Sequence, residues 1–198
     1  MAGEHKVVSV GGVELVLRWC PSGSFTMGSM NGNDNEEPQI QVVIREGFWM
    51  GETEVTHDLW QKAGLRFAMP TEAQWEYACR ATTTGDYGGT GRLDDMGWYG
   101  SNAGNATHPV GQKTPNAWGL FDMHGNVWEW CANVDQGHPD GTLDNAAAMG
   151  ASGGFRVLRG GSYWSGARYC RSAYRSGDLP DSRRWYLGFR LCAFPAGK

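Results

Sequence analysis

Ten residues near the C-terminal end of the chain have side chains suited to contact: Ser165, Gly166, Tyr169, Tyr174, Ser176, Gly177, Asp178, Ser182, Arg184 and Tyr186. Three amphipathic rings, small adaptable residues, one acid and one base make up the side-chain set of a paratope. Such a set recognises a surface and breaks no bonds. Elsewhere the reactive side chains are scattered. The five cysteines (Cys20, Cys79, Cys131, Cys170, Cys192) form no CxxC pair, so tetrahedral zinc is disfavoured. We expect buried free thiols; a disulfide stays open, and an odd count leaves at least one cysteine unpaired. The histidines have no paired-ligand spacing, and His57 and His124 read as packing or surface residues. No Ser-His-Asp order, phosphate-cradling glycine loop or close carboxylate pair is evident.

These positions need a rigid support, and the sequence contains one. Residues 12–27 read as two strands, with Val13, Leu15 and Leu17 alternating and Pro21-Ser22-Gly23 as the turn. A polar loop follows at residues 31–38, read as a solvated acidic turn, and residues 39–45 give a third strand. Residues 54–63 predict a short helix. The stretch Pro70-Thr71-Glu72-Ala73-Gln74 is a stronger helix start, because Thr71 and Gln74 can cap each other. The helix it opens presents Trp75, Ala78 and Cys79 on one face. Residues 81–112 are irregular, held by isolated rings. Trp128 and Trp130 share one face of a strand and Glu129 lies on the other. Residues 155–159 and 187–192 predict the last strands.

Length and composition limit the rest. The 198 residues suit one domain, 1–198, with a real core. With 30 glycines and 40% hydrophobic residues, the fold should be loop-rich, with large rings among the 10 tryptophans replacing aliphatics. Net charge is −4 and no basic stripe appears before the C-terminal segment, so nucleic acid is not an expected partner. No apolar run of about 20 residues spans a membrane. Met1–Lys6 shows no signal-peptide core, although a leader or lipid anchor could precede it.

Six ordered motifs carry a resemblance. They are Met27-Gly28-Ser29, Glu54-Val55-Thr56, Met69–Tyr77, His124-Gly125-Asn126-Val127-Trp128-Glu129-Trp130, Arg159-Gly160-Gly161-Ser162 and Gly188-Phe189-Arg190. Together they resemble the formylglycine-generating (sulfatase-modifying factor) family from about Gly12 to Cys192. The resemblance implies an α+β, C-type lectin-like fold of that type, loop-rich, with two short helices and small antiparallel sheets. It departs from the enzymes twice. Only residues 57–69 bridge the two helix motifs, where the enzymes have a long segment. The enzymes' copper-holding pair of cysteines is also missing, because Ser165 stands at the first position and the second has no cysteine. Cu(I) requires soft thiolates, so the reading is of a chain that is not an enzyme. Iron-binding histidines of the related sulfoxide synthases are likewise not in evidence. Calcium is left open: the resemblance implies backbone oxygens of His124, Gly125 and Val127 and the carboxylate of Glu129, the oxygen donors calcium prefers. No other cofactor is expected.

The stretch at about 159–190 resembles the variable region of proteins diversified by retroelements, which use this fold as a display scaffold. There, template AAC codons become NNC codons, which encode Tyr, Ser, Gly, Asp or Arg but not Trp, Lys, Glu, Gln or Met. All ten positions named above hold permitted residues. Trp164 and Trp185 do not come from AAC, so they join the invariant frame and are expected to pack inward, with Tyr169, Tyr174 and Tyr186 toward solvent. Asparagine occurs nine times before residue 150 and never after it. The resemblance therefore implies a non-catalytic protein showing a hypervariable surface to an unknown protein or cell-surface ligand, itself at the cell surface or exported. A shortened formylglycine-generating-type oxidase and an inactive modifier subunit are the alternatives.

Overall fold

A computed structural model describes residues 1–56, 68–135 and 154–194. Three small sheets surround one central helix. The first sheet has the order β1 (His5–Val10), β2 (Val13–Cys20), β5 (Phe48–Gly51) and β10 (Cys192–Ala193), all antiparallel. The second pairs β3 (Gly23–Met27) with β4 (Ile40–Ile44). The third has the order β8 (Ser176–Asp178), β7 (Arg156–Arg159), β6 (Trp128–Val134) and β9 (Leu187–Gly188). The helices are α1 (Glu72–Arg80) and the single turn α2 (Leu93–Met96), with 3-10 turns at Asp34–Glu36 and Ala167–Cys170.

The capping box forms as expected. The Gln74 N–H donates to Thr71 Oγ1 at 3.2 Å, and the Thr71 N–H donates to Gln74 Oε1 at 2.9 Å. The helix itself differs from the sequence expectation. All nine of its residues are buried, not one apolar face. Its polar side meets buried arginines brought from far along the chain. Arg175 binds Glu72 with two nitrogens, at 2.5 and 2.8 Å. Arg159, fully buried, pairs with Glu76 and with Glu72 and lies over the Trp75 ring.

The 31–38 loop is not a solvated turn throughout. Glu36 is buried and accepts a two-pronged guanidinium from Arg171 at 2.6 and 2.8 Å. The 187–192 stretch is not one strand. It leaves the third sheet after Gly188 and joins the first at Cys192, and between them Arg190 points inward to Glu129. Strands β1, β5 and β8 and the turn α2 lie outside the elements expected from the sequence. Of the 54–63 helix, residues 54–56 are irregular, and the remainder lies outside the described residues. The core is Met-, Cys- and aliphatic-rich around Trp75, Trp118, Phe48 and Tyr77. Among the described tryptophans only Trp75 and Trp118 are buried, so rings carry less of the core than composition suggested.

Removing one partner of a buried ion pair strands the other charge, at about 3–5 kcal/mol. Glu72→Gln, which removes the carboxylate shared by Arg159 and Arg175, is therefore expected to lower unfolding free energy by about that much in urea titration. Arg18→Gln should cost about 1 kcal/mol or less, because its pair with Glu52 is partly solvated.

Candidate ligand-binding surface

Strand alternation divides the third sheet into two faces. Glu129, Cys131, Val157 and Arg159 point into the core and are buried. Trp128, Trp130 and Leu158 share the opposite face. In the β7–β8 register Leu158 faces Ser176 and Arg156 faces Asp178, so two of the ten candidate positions stand on that outward face. Strands β8 and β9 are opposite edges of the sheet. The connection between them, residues 179–186, runs across the outward face, and its residues line depressions there together with Trp130 and Trp128.

A cleft of about 420 Å³ opens on this face. Ser165, Ser176, Gly177, Asp178 and Tyr186 line it, with Trp164 at its rim and Trp128 and Leu158 beneath. Ser182 and Arg184 line an adjoining depression of about 380 Å³ against Trp130. Tyr174 is linked to Trp128, ring centroids 6.0 Å apart, and Tyr169 meets Tyr174 edge-on at 5.0 Å. The structure thus gathers the candidate positions around Trp128 and Trp130; Gly166 stands apart, exposed next to the 3-10 turn, and Gly177 faces inward beside Val157.

Main-chain atoms hold much of this segment. The Gly100 N–H donates to Ser165 O, the Tyr87 hydroxyl to Ala167 O, and the Ser172 N–H to Asp86 O. Arg159 Nη1 donates to Tyr174 O and the Trp128 N–H to Tyr186 O. Any amino acid supplies those atoms. Gly161, at φ +77°, seats the segment, since a Cβ there would lie 2.6 Å from Cys170 Sγ. Two candidate positions are less free. The Ser165 hydroxyl accepts the Ser162 N–H at 3.0 Å, and the residue is buried. A Cβ on Gly177 would lie 2.9 Å from Asp135 Oδ2 and 3.3 Å from Arg156 O, whereas one on Gly166 meets only Tyr169 ring carbons at 3.7 Å.

Two sequence expectations need correction. Trp164 and Trp185 do not pack inward: they are 68% and 88% exposed. Tyr169, Tyr174 and Tyr186 are half-buried by their neighbours on the surface. Of the segment's arginines, Arg171, Arg175 and Arg190 are bound to buried carboxylates. The floor residues Trp128, Trp130 and Leu158 were not read as site residues, although the Trp-Glu-Trp alternation contained the signal.

Of the residues implied for calcium, the Glu129 carboxylate already has protein partners. Both Glu129 oxygens are engaged: Arg190 donates to them at 2.6 and 2.7 Å, and the Trp75 indole N–H donates at 2.7 Å. A guanidinium already supplies the positive charge. Gly125 and Val127 flank that pair, the Gly125 N–H bonding Gly160 O and the Val127 side chain packing at Gly188. Beside it, Glu54 and Asp122 each bury one oxygen without a partner, and desolvation raises both above the usual carboxylate range. His124 is a packing residue. Its Nδ1 donates to Cys170 O at 2.7 Å and its Nε2 accepts the Gly88 N–H at 3.0 Å, so burial holds it neutral with a pKa lowered to about 4.

All five cysteines are free and buried. Burial raises the thiols, with Cys79, Cys170 and Cys192 pushed up to about 12. They are therefore held protonated, and Cys79 Sγ sits 3.7 Å from His124 Nε2 in the closed interior.

Residues 60–193 match the sulfatase-modifying factor enzyme 1-like domain. The chain belongs to that family. The mouse formylglycine-generating enzyme is 38% identical over 149 residues, 66% of this chain and 40% of that enzyme. Formylglycine-generating enzymes from mouse, Streptomyces coelicolor and Mycobacterium tuberculosis are matched over only 40% to 52% of their own length. Among solved structures, Treponema denticola variable protein 1 superposes with a TM-score of 0.85 at 26% identity, covering 96% of this chain and 99% of that one. PvdO from Pseudomonas aeruginosa gives 0.83 at 25% identity, covering 98% and 99%. The fold is therefore the loop-rich α+β, C-type lectin-like fold of the formylglycine-generating type.

Two outcomes follow from the geometry. Gly166→Tyr should change stability by no more than about 0.5 kcal/mol, while Gly177→Tyr should cost about 1–3 kcal/mol through overpacking, read from denaturant midpoints. Because the folded His124 pKa lies below the usual 6.5, its stabilising effect is complete above pH 6.5 and fades as pH falls toward about 4. Nitrogen NMR should show Nε2 still unprotonated at pH 5; a midpoint near 6.5 would contradict the buried, neutral assignment.

Proposed function

We propose that this chain is a non-catalytic binding protein, a single lectin-like domain that presents a hypervariable surface, diversified by a retroelement, to a protein or cell-surface ligand. The observation that carries this reading is the geometry of the ten positions. Eight of them gather around Trp128 and Trp130 on the outward side of the third sheet, while Arg171 and Arg175, interleaved with them, are locked into buried ion pairs. Anchoring groups and displayed groups thus alternate along one segment. Side chains can change on such a surface without loss of the support. The likeness to Treponema denticola variable protein 1 over nearly the whole of both chains supports the same reading. So does the state of the thiols: protonated, buried cysteines are poor ligands for Cu(I). Display at the cell surface belongs to this proposal.

The comparison with formylglycine-generating enzymes favours one second reading, a shortened oxidase. Two measurements separate them. Sibling genes should differ chiefly at the ten positions and retain Trp128, Trp164, Arg171, Arg175 and Arg190; a uniform spread of differences would oppose the proposal. Incubation with Cu(I) and a cysteine-containing sulfatase peptide should leave the peptide thiol intact, and aldehyde formation would establish the oxidase.

A further inference from the structure

We infer that the cleft over Trp128 binds an organic cation, a quaternary ammonium or guanidinium group carried by the ligand. This inference rests on the binding-surface reading above and names the ligand chemistry of that same site in this particular sequence.

Three observations lead to it. First, the cleft offers aromatic surface from three sides: Trp128 beneath, Trp164 at the rim and Tyr186 from the crossing segment. The negative faces of aromatic rings attract a cation, most strongly for tryptophan. Second, among the described lining residues Asp178 is the only ionisable one besides tyrosine. Its Oδ1 accepts the Leu179 N–H and the Ser182 hydroxyl, both at 2.8 Å, which holds the carboxylate in place on strand β8. Third, the basic residues of the neighbourhood are directed away from the cleft. Arg156, opposite Asp178 in the β7–β8 register, turns its Nη1 to Ala132 O at 2.7 Å. Arg175 and Arg159 face the core, paired to Glu72 and Glu76. Arg184 lines the separate depression beside Trp130. Among the described residues that line it, the cleft therefore combines π faces with one fixed negative charge and no arginine or lysine. Its volume, about 420 Å³, exceeds what one such headgroup needs and leaves room for the stem that carries it.

The roles divide along the frame. Trp128 and Trp164 are outside the candidate variable set, so the aromatic walls are constant. Asp178 and Tyr186 are within it, so the charge preference belongs to this copy, and a sibling with a basic or neutral residue at 178 would lose it.

The test uses the full chain and simple probes. Binding of choline and of arginine methyl ester is followed by tryptophan fluorescence and NMR, beside 3,3-dimethylbutanol, the uncharged isostere of choline. The expected result is saturable binding of both cations, at least tenfold tighter than the isostere and weakened by added salt. Asp178→Asn should abolish that discrimination, Asp178→Glu should restore much of it, and Trp164→Ala should weaken both cations at least fivefold. Equal binding of cation and isostere, no binding of any probe, or an unchanged Asp178→Asn profile in a variant of normal melting temperature would each overturn the inference. None of these outcomes bears on whether sibling genes vary at the ten positions, so the two proposals fail separately.

Discussion

The structure depends on guanidinium groups buried against carboxylates. Arg159 and Arg175 meet Glu72 and Glu76 on α1, Arg171 meets Glu36, and Arg190 meets Glu129 on β6. The sequence separations are large, up to 140 residues between Arg175 and the Asn35 carbonyl it also binds. Burying an ion pair gains little net free energy, since desolvation offsets the attraction. Its consequence is geometric. The planar fork of arginine fits a carboxylate in one orientation, and an unpaired partner would be costly, so alternative placements of the segment are strongly disfavoured. A weakly hydrophobic, glycine-rich chain is thereby given one arrangement.

The same pairs explain how a surface can be held still while its side chains are free. Arg171 and Arg175 interrupt the run of candidate positions and pull the main chain down at intervals, and main-chain hydrogen bonds complete the hold. Of the candidate side chains beside them, Tyr174, Ser176 and Asp178 stay half-buried at the surface. Two positions are less free, for local causes: the Ser165 hydroxyl closes a turn, and Gly177 faces inward beside Val157 on the edge strand. At Glu129 the charge partner is likewise an arginine, Arg190, which donates to both carboxylate oxygens.

Much of the fold was legible in the sequence. The capping box of Thr71 and Gln74, the β2–β3 turn and the Trp-Glu-Trp alternation follow from short-range stereochemistry, which a sequence states directly. The burial of the entire α1 helix was not legible. Periodicity treats Glu72, Gln74 and Glu76 as the solvent side, and only distant arginines make their burial tolerable. Trp164 and Trp185 misled for a related reason. Tryptophan is usually shielded, but these two sit on a segment whose inward positions are already taken by Arg171, Cys170 and Arg175.

Residue type and near-neighbour spacing were enough for the family resemblance, the start of α1, the β2–β3 turn and the C-terminal residues with the chemistry of contact. The packing of distant segments settles which arginines anchor and which remain outside, that β8 and β9 are opposite edges joined across an aromatic floor, and that Asp178 is the acid among the described residues lining the cleft there. These depend on which distant carboxylate each guanidinium reaches and on the register of strands far apart in the chain. Neither quantity is encoded in local spacing.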